Sequence, residues 1–349
     1  MDMLHFECDY ACGAARPVLD ALVRTNGEQT SGYGEDPHCE RARALIRELC
    51  RRPDAAVHFV MGGTQANLTV IAAALRPFEG VLCADTGHIN GHETGAVEAT
   101  GHKILPLPGR EGKICAAQVR AAVEAHHADS AHEHLVRPAM VYVSHPTELG
   151  TLYTRQELQD LSDTCRELGI RLFLDGARLG YGLAARPEVD LPFLAQVCDA
   201  FTIGGTKVGL LFGEAIVLTD EGINDCFRYH IKQRGGMLAK GRLLGVQFEA
   251  MLENGDYIRL AARANDMAQE LKRAFVRRGC ALLCDTAANQ IFPILPDEAA
   301  RRLSDGYAFS FWQRVDDTHQ AVRLCTNVTT DRADVDALLH DIDRIFDGM

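Results

Sequence analysis

The sequence predicts an α/β protein: a mostly parallel sheet with helices on both faces, followed by a smaller α+β part. Three observations predict it. From residue 57 onward, short apolar runs alternate with longer amphipathic segments, the pattern of strands joined by crossover helices. Several of those runs end in glycines beside an acid, an imidazole or an amine, at the edge where open α/β sheets bind ligands. Beyond about residue 240 the alternation gives way to long helical periodicity and then to short strands. The expected division is therefore a large domain over 1–240, with an irregular arm over 1–36, and a small domain over 241–349.

The arm is rich in glycine and polar residues and ends in Ser31-Gly-Tyr-Gly-Glu-Asp-Pro37. Pro37 fits the first turn of a helix, and Leu45, Ile46 and Leu49 recur at helical spacing over 39–50. Residues 57–61 read as a strand, 62–67 as a turn and 68–75 as a helix. Strands follow at 81–84, 104–107, 139–143, 170–174 and 200–203, with helices at about 116–126 and 155–168. Residues 210–218 return as an antiparallel strand. After a break at Gly235-Gly236, one long helical segment spans 238–278. Strands are expected at 281–284, 290–295, 309–312 and 321–325, and a closing helix over 333–346 carries Val335, Leu338, Leu339, Ile342 and Ile345 on one face.

A chain of 349 residues can bury a sizeable interior, and its 47% hydrophobic and 24% charged content is that of an ordinary globular enzyme. The net charge of -12 argues against a nucleic acid or an anionic membrane as partner. No apolar run approaches a membrane span, and the first residues lack a signal-peptide pattern, so a cytoplasmic protein with reduced thiols is expected. Of the twelve cysteines none forms a C-x-x-C pair, so no metal site is expected.

The chemistry centres on Phe201-Thr-Ile-Gly-Gly-Thr-Lys-Val-Gly209, which delivers Lys207 to the carboxyl end of a strand. A lysine in a crevice is either paired or used, for instance as a Schiff base with a carbonyl, although a lone lysine after a strand commonly sits on a surface turn. Pyridoxal phosphate needs such an amine, a carboxylate on its ring nitrogen, a phosphate cradle and a group against the ring face. Asp175 ends the strand 170–174 and can supply the carboxylate, or can cap the next segment. Gly62-Gly63-Thr64 lies between a strand and a helix, where free N–H groups meet an anion; it matches neither the P-loop nor the dinucleotide pattern. Thr206 adds a hydroxyl beside the lysine. His88 follows the strand 81–84 and can stack on the ring, with Glu93 nearby to orient a water or the substrate hydroxyl. Arg178 and Arg323 offer donor forks for an α-carboxylate, or ion-pair at the surface.

Together these residues resemble the threonine aldolase and β-eliminating lyase family of fold-type I pyridoxal-phosphate enzymes. The resemblance runs from Tyr33-Gly-Glu-Asp-Pro37 through Gly63-Thr64, His88 with Glu93, and Asp175-Gly-Ala-Arg178 to Lys207 and Arg323. It implies Lys207 as the Schiff-base lysine, Asp175 as the pyridine partner, His88 as the stacking group, and Gly63 and Thr64 as the phosphate loop. It also implies Arg178 and Arg323 as the carboxylate grip, Tyr33 on the substrate side, and a homodimer or homotetramer with shared active sites. His145, in Ser144-His-Pro-Thr-Glu-Leu-Gly150, is the counterpart of the family's second histidine. The chain departs from the family at Met237-Leu-Ala-Lys-Gly241, where many relatives carry an arginine near the phosphate, leaving Lys240 or Arg242 as substitutes. The implied reaction is retro-aldol cleavage of a β-hydroxy-α-amino acid, with His88, His145 or a water held by Glu93 as base. β-Elimination, transamination and a noncatalytic cofactor-binding role stay open at this level.

Overall fold

The computed structural model describes residues 3–348. In chain order its strands are β1 (Leu4–His5), β2 (Ala56–Val60), β3 (Glu79–Ala84), β4 (Lys103–Leu107), β5 (Arg137–Ser144), β6 (Arg171–Asp175), β7 (Ala200–Gly204) and β8 (Glu214–Leu218). They continue with β9 (Gln290–Ile291), β10 (Ile294–Pro296), β11 (Tyr307–Ala308), β12 (Ser310–Arg314) and β13 (His319–Cys325). Seven strands form the central sheet in the order β2-β8-β7-β6-β5-β3-β4. Only β8 runs antiparallel to its neighbours, with Gly204 opposite Glu214 on one side and Val60 opposite Glu214 on the other.

Side chains along a strand alternate between faces, and here each face meets its own apolar layer. Leu82, Val141, Leu174, Phe201 and Val217 enter one core, whereas Val81, Met140, Phe173, Ala200 and Ile216 enter the other. Burial on both faces is why these strands read as continuous apolar runs. Helix ends follow local chemistry: Asp36 caps Pro37–Cys50 by accepting from the Cys39 N–H at 2.8 Å, and Thr154 with Glu157 forms a capping box on Arg155–Leu168.

Five departures from the sequence reading stand out. The arm is not irregular throughout: it holds β1, paired in parallel with β11, and a helix Arg16–Thr25 that buries Val18, Ala21 and Thr25. The long segment is two helices, Arg242–Leu252 and Asp256–Arg277, parted where Gly255 adopts φ 71, a conformation glycine takes without strain. Residues 281–284 make a single bridge from Leu282 to Pro293 rather than a strand. The stretch 290–295 is cut in two at Phe292-Pro293, since proline has no N–H for the ladder. A helix Asp297–Ser304 was not foreseen.

The four-stranded antiparallel sheet of β10, β13, β12 and β9 packs with Asp256–Arg277 and the closing helix Arg332–Asp347 around Leu271, Phe275, Leu295, Val322, Leu338 and Ile342. Leu244, Phe248 and Met251 of Arg242–Leu252 lie in the core of the large sheet. All twelve cysteines are free, and eight are buried as small apolar groups. Among the described residues no helix is long and apolar enough to cross a membrane.

Candidate active site

Four parallel strands of the central sheet and the reversed β8 bring functional groups to one edge of the sheet. β6 ends on Asp175, β7 runs into the turn that carries Lys207, β3 leads to His88, and β2 leads to Gly62. Glu214 opens β8 and so arrives at the same edge. The turns bearing Asp175 and Lys207 touch backbone to backbone. A Cβ on Gly176 would sit 2.0 Å from the Thr202 carbonyl oxygen, and one on Gly204 would sit 2.3 Å from that of Ala177. Glycine is thus required for the two functional groups to approach each other.

A cavity of about 290 Å³ lies between them, lined by Gly62, Gly63, Thr64, His88, Asp175 and Lys207, among others. Asp175 is 5% exposed and accepts three hydrogen bonds: from Asn67 Nδ2 at 2.9 Å, the Tyr142 hydroxyl at 2.6 Å and the Ala177 N–H at 2.8 Å. Its carboxylate is thereby fixed in position. Asn67 also donates to Glu93 at 2.8 Å, and Glu93 accepts from His88 Nδ1 at 2.8 Å. This bond to Glu93, opposed by burial, raises the His88 pKa and favours its protonated form.

Lys207 Nζ donates no hydrogen bond and forms no ion pair among the described residues. Burial, reinforced by the Arg178 guanidinium, pushes its amine below the ordinary lysine range, toward a nucleophilic free base. Burial likewise holds the Glu214 carboxyl well above its ordinary value. Thr206 accepts from the Gly213 N–H at 3.1 Å, which leaves its own proton available. At the helix Gly63–Ala74, the N–H groups of the first turn have no intrahelical partner. A Cβ on Gly62 or Gly63 would meet nothing within 4 Å, so open space faces those donors. That is a cradle for a phosphate. Amine, carboxylate, cradle and imidazole therefore fit the parts of pyridoxal phosphate.

A second chamber of about 380 Å³ adjoins the first, sharing Tyr10, His88, Glu148, Arg178 and Lys207 and adding His92, Trp312 and Arg323. Arg323 donates to the Glu7 carbonyl at 3.0 Å and to Ser310 Oγ at 3.3 Å, with its guanidinium over the Trp312 ring. Arg178 also faces the chamber, but Asp9 binds its Nε and Nη2.

The structure leaves three of the sequence candidates outside both chambers. His145 is fully buried, its Nδ1 accepting from the Tyr153 N–H at 3.3 Å, and burial pushes its pKa down to about 3. A neutral imidazole sealed beneath Gly182 has no path to a substrate hydroxyl. Tyr33 is 48% exposed with its ring beneath the Lys232 ammonium, away from both chambers. Glu93 lines neither chamber and reaches them only through its bond to His88. The two substitutes for the missing arginine are likewise elsewhere: Arg242 donates to the Thr25 carbonyl at 2.8 Å, and Lys240 is exposed. Conversely, Asp9, Asn67, Tyr142, Glu148 and Glu214 all belong to the site or its support. Their neighbours in sequence give no pattern, although an apolar strand with one tyrosine, or a glutamate opening a buried strand, marks a polar group that needs a reason.

A doubly covered α/β sheet whose edge holds a lysine and an aspartate above a helix-start cradle defines a pyridoxal-phosphate enzyme of fold-type I. The architecture matches that of a Thermus thermophilus aspartate aminotransferase with a TM-score of 0.67, at 15% identity, over 99% of this chain and 92% of that one. The chain belongs to the β-eliminating lyase family, whose model matches residues 9–297, a pyridoxal-phosphate-dependent family. It is 31% identical over 310 residues to the low specificity L-threonine aldolase of Pseudomonas sp., covering 87% of this chain and 88% of that protein. It superposes on a threonine aldolase structure from Leishmania major with a TM-score of 0.95 at 41% identity, covering 98% and 99% of the two chains.

Proposed function

We propose that this protein binds pyridoxal 5'-phosphate and cleaves a β-hydroxy-α-amino acid, such as threonine, allo-threonine or a bulkier analogue, to glycine and an aldehyde. The observation that carries the reading is the unpartnered, pKa-depressed amine of Lys207, facing Asp175 across a cavity that opens on the Gly62-Gly63-Thr64 cradle. The likeness to the Pseudomonas and Leishmania threonine aldolases supports the choice of reaction within the family.

Lys207 would hold the cofactor through its amine, Asp175 its ring nitrogen, the helix start its phosphate, and His88 its ring face. When bound, pyridoxal phosphate supplies an electron sink for the bond broken at Cα. Asn67 and Tyr142 keep Asp175 aimed at that nitrogen. Arg323, and the part of Arg178 that Asp9 leaves free, face the second chamber and suit the substrate carboxylate. Trp312 and Tyr10 line the same chamber and offer aromatic surface to the substrate's β-substituent.

The same reading takes an assembly of two or four copies with shared active sites. It is supported by Tyr33 and Tyr229, exposed by 48% and 79%, on the face that carries the Tyr33-Gly-Glu-Asp-Pro37 turn.

The test is spectroscopic first. Purified protein given pyridoxal phosphate is expected to show the visible absorbance of a lysine-bound cofactor, and Lys207→Ala to lack it. A wild type without that band sinks the reading. Incubation with several β-hydroxy amino acids should then release glycine and aldehyde. Ammonia and a keto acid would instead mark elimination.

A further inference from the structure

The two chambers meet at Glu148, on the loop that follows β5. One carboxylate oxygen is anchored: Oε1 accepts from the His88 backbone N–H at 2.9 Å and from the Ser144 hydroxyl at 2.6 Å. No other described residue donates to Oε2. Anchoring one oxygen while freeing the other is how a carboxylate is held ready to take a proton in a set direction.

We propose that Glu148 is the base that removes the β-hydroxyl proton of the substrate, a role that rests on the aldol cleavage proposed above. In the step, Oε2 takes the hydroxyl proton, the O–H electron pair forms the carbonyl, and the Cα–Cβ bond breaks. Its electron pair passes to Cα, the β-carbon departs as an aldehyde, and a proton returned to Cα completes glycine.

The other candidates are less suited. His88 donates Nδ1 to Glu93 and has its protonated form favoured, which weakens it as an acceptor. His145 and Glu93 line neither chamber. Lys207 is committed to the cofactor. Burial raises the Glu148 carboxyl above its ordinary range against the opposing bonds from Ser144, its own backbone N–H and the His88 N–H, and the Asp175 charge adds to the rise. A raised carboxyl pKa strengthens the conjugate base toward a hydroxyl. The ionisable groups around it are His88, His92, Asp175, Lys207, Arg178, Arg323, Glu214 and Tyr10 in the chamber walls, and Tyr142 beneath them.

Glu148→Gln keeps an oxygen for His88 and Ser144 and removes the free carboxylate oxygen. On the cofactor-loaded enzyme, two reactions separate the roles: aldehyde release from threonine, and exchange of glycine's α-proton in D₂O, which involves no β-hydroxyl. Cleavage is expected to fall roughly 10²- to 10⁴-fold while exchange persists. The acid limb of kcat against pH should vanish from the residual activity. In the enzyme without substrate, the His88 backbone amide resonance should titrate with a midpoint above that of an ordinary glutamate, and should cease to do so in the variant. Retained cleavage, as when His92 is the base, overturns the proposal. So does a parallel fall in cleavage and exchange, which would make Glu148 a positioning residue for His88. A wild type that exchanges glycine but releases no aldehyde from any β-hydroxy amino acid removes the aldolase reading itself.

Discussion

Arg178 and Asp9 meet fork to fork, Nε donating to Oδ2 at 2.6 Å and Nη2 to Oδ1 at 2.9 Å, with Asp9 only 3% exposed. Burial alone would lift the Asp9 carboxyl, but Arg178 overrides it and holds the pKa below the usual range. Asn289 adds a third donor at 2.9 Å, so the pair ties the arm to both β6 and the C-terminal part. Arg178 is therefore a structural clamp as well as a wall of the second chamber.

Removing one partner of a buried pair leaves a charge without compensation. Asp9→Ala is expected to lower unfolding free energy by about 3–5 kcal/mol, read from urea denaturation. A loss below about 1 kcal/mol, the range of an exposed pair, would contradict the clamp.

Asp175→Asn removes the charge proposed to face the cofactor ring while nearly preserving volume. Aldehyde production is expected to fall by roughly 10²-fold or more, on the scale of deleting a preorganised electrostatic group. Wild-type kcat in the variant would show that the Asn67 and Tyr142 bonds aim a carboxylate that the chemistry does not use.

His145 gives a pH signature of stability. Its folded pKa of about 3 lies below the ordinary value of 6.5, so below pH 6.5 the unfolded chain binds a proton that the folded chain refuses. Stability is therefore full above that value and declines as pH falls. At pH 5 the loss from this group is roughly 2 kcal/mol. His145→Gln should flatten the acid side of the stability curve and leave the pH profile of catalysis unchanged. A shifted catalytic profile would restore His145 as a candidate base.

For His88 the sign is opposite. Its pKa is raised in the fold by the bond to Glu93, so the stabilisation is present below the ordinary histidine pKa and disappears as pH rises through the raised value. Glu93→Gln is expected to bring the imidazole pKa down, as followed by NMR of the ring protons. An unmoved titration would mean that Glu93 does not control the ring.

Gly176→Ala places a methyl 2.0 Å from the Thr202 carbonyl, which is backbone and cannot swing away. The variant should lose roughly 1–3 kcal/mol of stability as the turns bearing Asp175 and Lys207 are pushed apart. Cofactor affinity should fall with it. A variant as stable and as tightly loaded as wild type would show that the turns yield.

Lys207, Asp175, His88 and the Gly62-Gly63-Thr64 turn were legible because each stands where an apolar run stops. A strand buried on both faces must be apolar, so the polar residues in the few positions beyond it are conspicuous and lie at the edge where ligands bind. The central strands were legible for the same reason, with ends displaced by a residue or two. The helix Arg16–Thr25 was not, because its buried positions carry small or β-branched residues amid an otherwise polar arm.

The sequence alone determined the architecture and marked the strand-end residues proposed to hold the cofactor, since both follow from local periodicity and from residue types at strand ends. Only the tertiary structure decided which polar residues converge. It sealed His145 away, bound Arg178 to Asp9 across 169 positions of chain, set Tyr33 away from both chambers and turned Glu148 into the join of the two. Such partnerships depend on which loops fold over the sheet edge. Local spacing holds no record of that, because charges distant in sequence meet only when the core beneath them has packed.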